Sequence, residues 1–464
     1  MRGVTSTLWT SAEIAAATHG TASADFTVSG VAFDSREVGP GDLFLALKGE
    51  STDGHRFLDQ AFAQGAAGAV VSDPTDHPSI RVADTTGALN VLGAASRKRS
   101  SAKIIGVTGS VGKTGTKEAL FAALDRIDPG CAHRSVKSYN NHTGVPLSLA
   151  RMPRESRYGV FEMGMNHAGE LARLTRLVRP HVAIVTAIAP AHLGFFDSVE
   201  KIADAKGEIF QGLGAGGTAI VPFDSPYRDR LLDAARPYAS RIVTFGLGEG
   251  ADYRAVETMR ARSGGTFVMA RYGNRELSFT ISQPGEHWVS NAMAILAAVD
   301  AVGGDLEVAG LALAEMGGLA GRGARMTVSV GDGTALVIDE SYNANPSSMC
   351  ATLKVLAAEP GRRVAVLGEM RELGTHADAL HAELADPITQ AGVSRAILVG
   401  EAMAPLAAAL EGRLDFVHVA DAAAAKAALE STLAPGDAVL IKGSNGVRLA
   451  TIVAALAERQ SCSI

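Results

Sequence analysis

Nine residues, Gly106-Val-Thr-Gly-Ser-Val-Gly-Lys-Thr114, carry the clearest chemistry in this sequence. A glycine-rich turn followed by Gly-Lys-Thr presents backbone N–H groups to phosphate oxygens, lets the lysine reach terminal phosphates, and offers the threonine hydroxyl to Mg²⁺. Gly109, Ser110, Val111, Gly112, Lys113, Thr114 and Gly115 are the residues such a turn would lay along a nucleotide. The spacing departs from the common form. Val107 stands where a glycine is usual, and the glycines fall at 106, 109 and 112. Glu162, His192 and Lys206 are further candidates. The first two have metal-ligating side chains, although Mg²⁺ prefers oxygen. Taken alone, His192 also reads as a structural histidine, and Lys206 as a surface lysine.

The surrounding pattern must position these groups. Ile104, Ile105 and Val107 form an apolar lead-in to the turn, and Leu120, Phe121, Leu124 and Ile127 recur at helical spacing after it. Tyr158–Met163 and Val182–Ile188 read as strands, the second buried on both faces. Thr218–Val221 and Arg241–Phe245 add further strands, and Val289–Val302 an Ala-rich helix. Lys113, Glu162 and His192 each follow a strand, where open α/β sheets bind ligands.

The chain has 464 residues, too many for one core, and 47% hydrophobic residues supply ample burial. Three α/β domains are expected. Residues 1–100 form a small N-terminal unit with a strand at Leu43–Leu47. Residues 101–325 form a central P-loop domain with a mostly parallel sheet, and residues 326–464 a Rossmann-like domain of alternating strands and helices. Ser96–Lys103, containing Arg97-Lys-Arg99, reads as a solvated linker, and Gly317–Arg325 as a second boundary. Asp34-Ser35-Arg36 and Asp53-Gly-His55 suit polar turns, or a pocket for a phosphorylated ligand.

Net charge is −6 without a long basic run, which argues against nucleic-acid binding. Cys131, Cys350 and Cys462 form neither a metal-ligand spacing nor a disulfide framework. There is no evident signal peptide and no run long enough to span a bilayer. A cytoplasmic monomer without membrane insertion is expected. A GTPase would want Asn-Lys-x-Asp, and no Asn-Lys pair occurs.

The long P-loop, Asn140-Asn141-His-Thr143-Gly-Val-Pro146, Glu162-Met-Gly-Met-Asn-His167 and Ala189-Pro-Ala-His192-Leu together resemble the Mur ligase family. These are ATP-dependent enzymes that form amide bonds in peptidoglycan assembly. The resemblance continues through Asp339-Glu-Ser-Tyr342-Asn-Ala-Asn345-Pro346, Val366-Leu-Gly-Glu-Met-Arg-Glu372-Leu-Gly374 and Lys442-Gly-Ser444. These segments point to the members joining D-alanyl-D-alanine to UDP-N-acetylmuramoyl-tripeptide through an acyl phosphate.

The resemblance implies a role for each residue. The turn would bind ATP phosphates. Thr114, Glu162 and His192 would ligate magnesium, and Lys206, carbamylated by CO₂, would help hold a second ion. Asn291 would contact adenine, with Arg322 and Glu340 also near the nucleotide. Ser35, Arg36 and Asp53 would bind the uridine nucleotide. Asn141, Thr143, Tyr342 and Asn345 would contact substrate. Ala187, Trp288, Glu340 and Asn445 depart from the family pattern. The ligase adding the third peptide residue, and folylpolyglutamate synthase, fit less well. The first would carry Asp-Asn-Pro-Arg, and the second would not explain the N-terminal unit.

Overall fold

A computed structural model describes residues 7–49, 52–190, 194–262 and 264–461. His192 and Cys462 lie outside the described residues. Three principal sheets organise the chain. The N-terminal sheet has five strands, four of them parallel: Gly30–Ala32, Asp42–Leu45, Gly68–Val71 and Ser79–Arg81. The C-terminal sheet has six strands. Ala324–Val330 pairs antiparallel with Gly333–Glu340, and the others are parallel. Thus Ala324 and Arg325, on the central side of the expected boundary, belong to the third sheet.

The central sheet has nine strands, with the P-loop strand Lys103–Thr108 between Val182–Val185 and Tyr158–Glu162. Parallel neighbours on both sides explain why this strand is apolar on both faces. Ile105 and Val107 pack with Leu120, Leu124, Val289 and Met293. Ile104 faces the opposite layer with Leu171, Leu174, Ile202 and Phe210. Burial of each such side chain contributes roughly 1.5–3 kcal/mol, so the strand's end is a firm base for the turn.

Three features differ from the sequence reading. Tyr253–Arg260, Thr266–Tyr272 and Arg275–Ile281 extend the central sheet, the last two antiparallel. Their outward faces are polar and weakly patterned. The strand after Pro180 stops at Val185, because Thr186 and Ala187 turn away to hold the P-loop. Ser96–Lys103 is not a solvated linker: the helix Thr85–Arg99 includes its first four residues, and Ser96 and Arg97 are buried. Arg97 donates from Nε to the Val178 carbonyl (2.8 Å) and from Nη2 to that of Arg179 (2.9 Å). It thereby satisfies the end of the helix Glu170–Val178. Arg99 lies 3.5 Å over the ring of Trp9, whose indole N–H donates to Ala150 O (2.9 Å). The N-terminal and central units are therefore packed together, not loosely tethered. Among the described residues no helix is long and apolar enough to cross a membrane.

Arg97→Ala should strand two buried carbonyls and lower stability by about 3 kcal/mol. A clear drop in the chemical-denaturation midpoint is expected; an unchanged midpoint would restore the linker reading.

Candidate active site

The turn Gly109–Gly112 joins the strand Lys103–Thr108 to the helix Lys113–Ile127. Gly112 is left-handed (φ 86°), and no side chain caps the helix start, so its first-turn N–H groups are left for a ligand. At Gly109 (φ 152°) an added Cβ would fall 2.0 Å from Thr186 Oγ1. That hydroxyl fastens the turn, lying 2.6 Å from Val111 O and 3.1 Å from Thr108 O. Ser110 N–H donates to Ala187 O (2.7 Å). Ala187, a departure from the family pattern, thus acts here through its backbone.

Thr114 Oγ1 donates to Glu162 Oε2 (2.9 Å), and Asn140 Nδ2 donates to Glu162 Oε1 (2.8 Å). Two oxygens this close, on a buried carboxylate and the P-loop threonine, suit a hard divalent cation. Lys113 Nζ donates to Gly109 O (2.6 Å). Lys206, in the helix Val199–Gly207, is only 1% exposed, which overturns its reading as a surface lysine. Burial, then the charge of Lys113, holds its amine well below the usual lysine range, against an opposing pull from Glu162. Burial also lowers Lys113, with Glu162 opposing and Arg322 adding a little.

The facing wall comes from the third sheet and the segment before it. Arg322 lies 4.1 Å over the Tyr342 ring and reaches Ser138 Oγ (3.4 Å). Lys442 Nζ stands 3.6 Å from Glu340 Oε2 and donates to Asn343 O (2.9 Å). Burial raises the Glu340 carboxyl and lowers the Lys442 amine. Asn345 caps the helix Pro346–Ala357. From the helix Glu286–Ala301, Asn291 packs beside Gly112 and Trp288 beside Gly115. His287 is pushed down to about 4 by burial, hence neutral. Together these groups line a cleft of about 430 Å³. Lys113, Lys206, Lys442 and Arg322 line it against the carboxylates Glu162 and Glu340. Such a surplus of cations suits a polyanionic ligand.

Known families account for most of the chain. Residues 27–103 match the Mur ligase family catalytic domain, 107–299 the Mur ligase middle domain, and 324–445 the Mur ligase glutamate ligase domain. The UDP-N-acetylmuramoyl-tripeptide–D-alanyl-D-alanine ligase of Escherichia coli K12 is 35% identical over 95% of this chain and 96% of its own length.

The chain belongs to the Mur ligase family.

Solved structures of Mur ligases show the same architecture. MurF from Acinetobacter baumannii superposes with a TM-score of 0.84 at 33% identity, covering 97% of this chain and 99% of that one. MurF from Thermotoga maritima, solved in complex with ADP, gives 0.77 at 25% identity, covering 94% and 98%.

The structure does not bring every expected residue of this Mur ligase into the cleft. Ser35, Arg36 and Asp53 lie in the N-terminal domain, outside it. Ser35 Oγ donates to Gln60 Oε1 (3.0 Å), and Arg36 pairs with Asp34 (2.6 Å). Asp53 accepts from His55 N–H (3.0 Å) and contacts its Nδ1 (2.7 Å). Asp53, His55 and Asp73 form the one three-residue grouping of potential metal ligands among the described residues. There His55 Nε2 accepts from Ser72 N–H (2.9 Å), so both ring nitrogens are engaged. Asn141 and Thr143 also fall outside the cleft lining; the Asn141 side chain accepts from Thr143 and Gly144 N–H to close a turn. The neighbouring Asn140 is the one that holds Glu162. Sequence reasoning also passed over Thr186, Lys117 and the contacts of Lys442. Lys117 had a usable signal, standing one helical turn after Lys113 on the same face. Asn445 is exposed at the end of the third sheet.

Gly109→Ala must displace Thr186 and strain the turn by about 1–3 kcal/mol. The expected result is at least a tenfold loss of ADP affinity by calorimetry, with circular dichroism unchanged; wild-type affinity would refute this account of the turn.

Proposed function

We propose that this Mur ligase joins D-alanyl-D-alanine to UDP-N-acetylmuramoyl-tripeptide in peptidoglycan precursor synthesis. ATP is converted to ADP and phosphate, and the product is UDP-N-acetylmuramoyl-pentapeptide. The observation that carries this reading is one cleft in which the P-loop and the Thr114–Glu162 oxygen pair face a cationic wall from the third domain. The end-to-end likeness to ligases named for that reaction supports the choice of substrates. Residues 1–100 serve as the uridine-nucleotide domain, 101–323 as the ATP domain and 324–464 as the domain that brings the dipeptide. The reading includes action as a monomer in the cytoplasm.

The chemistry follows from the groups present. A peptide carboxylate resists attack by an amine because its leaving group is poor. Transfer of the γ-phosphoryl group of ATP makes it an acyl phosphate, and the dipeptide amine then displaces phosphate. The first step brings two anions together. Lys113 offsets that repulsion, while Gly109 to Gly115 hold the phosphates through backbone N–H groups. Thr114, Glu162 and His192 would hold magnesium, which would supply positive charge to offset that of the transferring group. Asn291 and Trp288 form the wall beside the nucleoside, and Arg322 and Glu340 close on it from the third domain. Tyr342 and Asn345, with Asn141 and Thr143 on the loop opposite, guide the peptide substrates. Ser35, Arg36 and Asp53 hold the uridine nucleotide at a distance from the reaction. Bringing acceptor and donor together while excluding water protects the acyl phosphate.

Lys206 is suited to carbamylation. A buried amine held below its usual range is available in the neutral form, which adds to CO₂ to give a carbamate and release a proton. The product carries a negative charge in place of a positive one. That anion offsets Lys113 and offers oxygen to a second magnesium ion.

Phosphate release should require ATP, UDP-N-acetylmuramoyl-tripeptide and D-alanyl-D-alanine together, and Lys113→Ala should reduce it by roughly 10²–10³. Release without the dipeptide, or near wild-type turnover of the variant, would overturn the reading. For Lys206, ¹³CO₂ should give a carbamate NMR signal that is lost in Lys206→Arg. Because carbamate formation releases a proton, the signal and the activity should decline together as pH falls, and added bicarbonate should restore both. A wild-type enzyme active without the signal would exclude the modification.

A further inference from the structure

Lys117 is fully buried one helical turn beyond the P-loop lysine, yet it does not line the cleft. Its ammonium donates to the carbonyls of Ser135 (2.9 Å) and Lys137 (2.7 Å). It also pairs with Glu118 Oε1 at 2.9 Å and lies 3.9 Å from Glu162 Oε2. Glu118 is thus the nearer countercharge, so the direct pull of Lys117 on Glu162 is secondary.

The stronger connection runs through the segment it pins. Ser135 Oγ accepts from Glu162 N–H (3.2 Å), and Ser135 N–H donates to Val160 O (3.0 Å). Five residues on, Asn140 holds Glu162 Oε1, and its carbonyl accepts from Gly164 N–H (2.8 Å). Glu162 is therefore fixed at its backbone and at its carboxylate by two residues of one short segment. Lys117 fastens that segment to the P-loop helix. Between them, Lys137 adopts a left-handed backbone (φ 53°), costly for a residue with a Cβ, and its carbonyl meets Lys117. The same segment reaches the N-terminal domain, where Lys137 and Tyr139 both contact Glu37, the tyrosine at 2.7 Å.

We propose that Lys117 is a positioning residue: it clamps the Ser135–Asn140 segment to the P-loop helix and so orients Glu162 beside Thr114 for the metal–nucleotide. The proposal rests on the reading of Glu162 as a metal ligand. Groups that orient a metal ligand typically change metal affinity by about 10–100-fold when removed.

The test is Mn²⁺ binding by the full chain in the presence of ADP, followed by electron paramagnetic resonance. Lys117→Met keeps the length of the side chain and removes its donors. It should weaken Mn²⁺ binding at least tenfold, with affinity for UDP-N-acetylmuramoyl-tripeptide kept within about threefold, a split that general destabilisation would not give. Ser135→Ala, a smaller change, should weaken Mn²⁺ binding in the same direction, and the two effects should be less than additive because they share one path. Unchanged Mn²⁺ affinity in folded Lys117→Met overturns the assignment. Should that variant not fold, unchanged affinity in Ser135→Ala does so. Glu162→Gln separates the two readings. If it abolishes Mn²⁺ binding while Lys117→Met does not, the positioning role fails and the ligand role stands. If Glu162→Gln binds normally, the ligand role fails and the positioning role falls with it.

Discussion

The cost of burying charged groups shapes this molecule. Lys113 and Lys206 sit deep at the end of a parallel sheet, and Lys442 and Arg322 face them from the next domain, with Glu162 and Glu340 as partial compensation. Burial of cations is costly unless something offsets their charge. Lowered lysine basicity is one response, and hydrogen bonds to nearby carbonyls are another. A polyanionic ligand would supply further compensation. Ligand binding and electrostatic relief would then be one event.

Rigid surroundings make that arrangement sustainable. The P-loop grows from a strand enclosed by parallel neighbours, and Thr186 and Ala187 on the adjacent strand's exit hold its turn. The loops that meet substrate are secured by backbone contacts, whereas the third domain reaches the cleft through the glycine-rich segment before Ala324, with Gly321 and Gly323 left-handed. The cleft thus joins a half braced by the central sheet to a half carried on glycines.

The parallel core was legible because strands buried on both faces read as apolar runs, and the P-loop because its residue types have few other uses together. The antiparallel extension at 253–281 was not, since half of each strand faces solvent and carries charge. Arg97 was misjudged for a related reason, and Lys206 taken alone read as a surface residue until the family resemblance assigned it to the site. A charged side chain in a polar stretch reads as exposed, and only the tertiary structure reveals the helix end or the neighbouring carboxylate that makes burial tolerable. That Asn140, the neighbour of the expected Asn141, holds Glu162 was not legible either, because no periodicity in a loop tells which side chain turns inward. The N-terminal loops showed their turn chemistry plainly, but no spacing could reveal that Glu37 would meet the central domain.

The placement of aromatic residues has a practical side. The chain has two tryptophans, and they report on different parts of it. Trp9 lies beneath Arg99 where the N-terminal domain packs on the central one, while Trp288 lies against the first turn of the P-loop helix. The enzyme therefore carries two built-in fluorophores, one at a domain junction and one in the nucleotide cleft, and a single-tryptophan variant of either kind would isolate one event from the other without an added label.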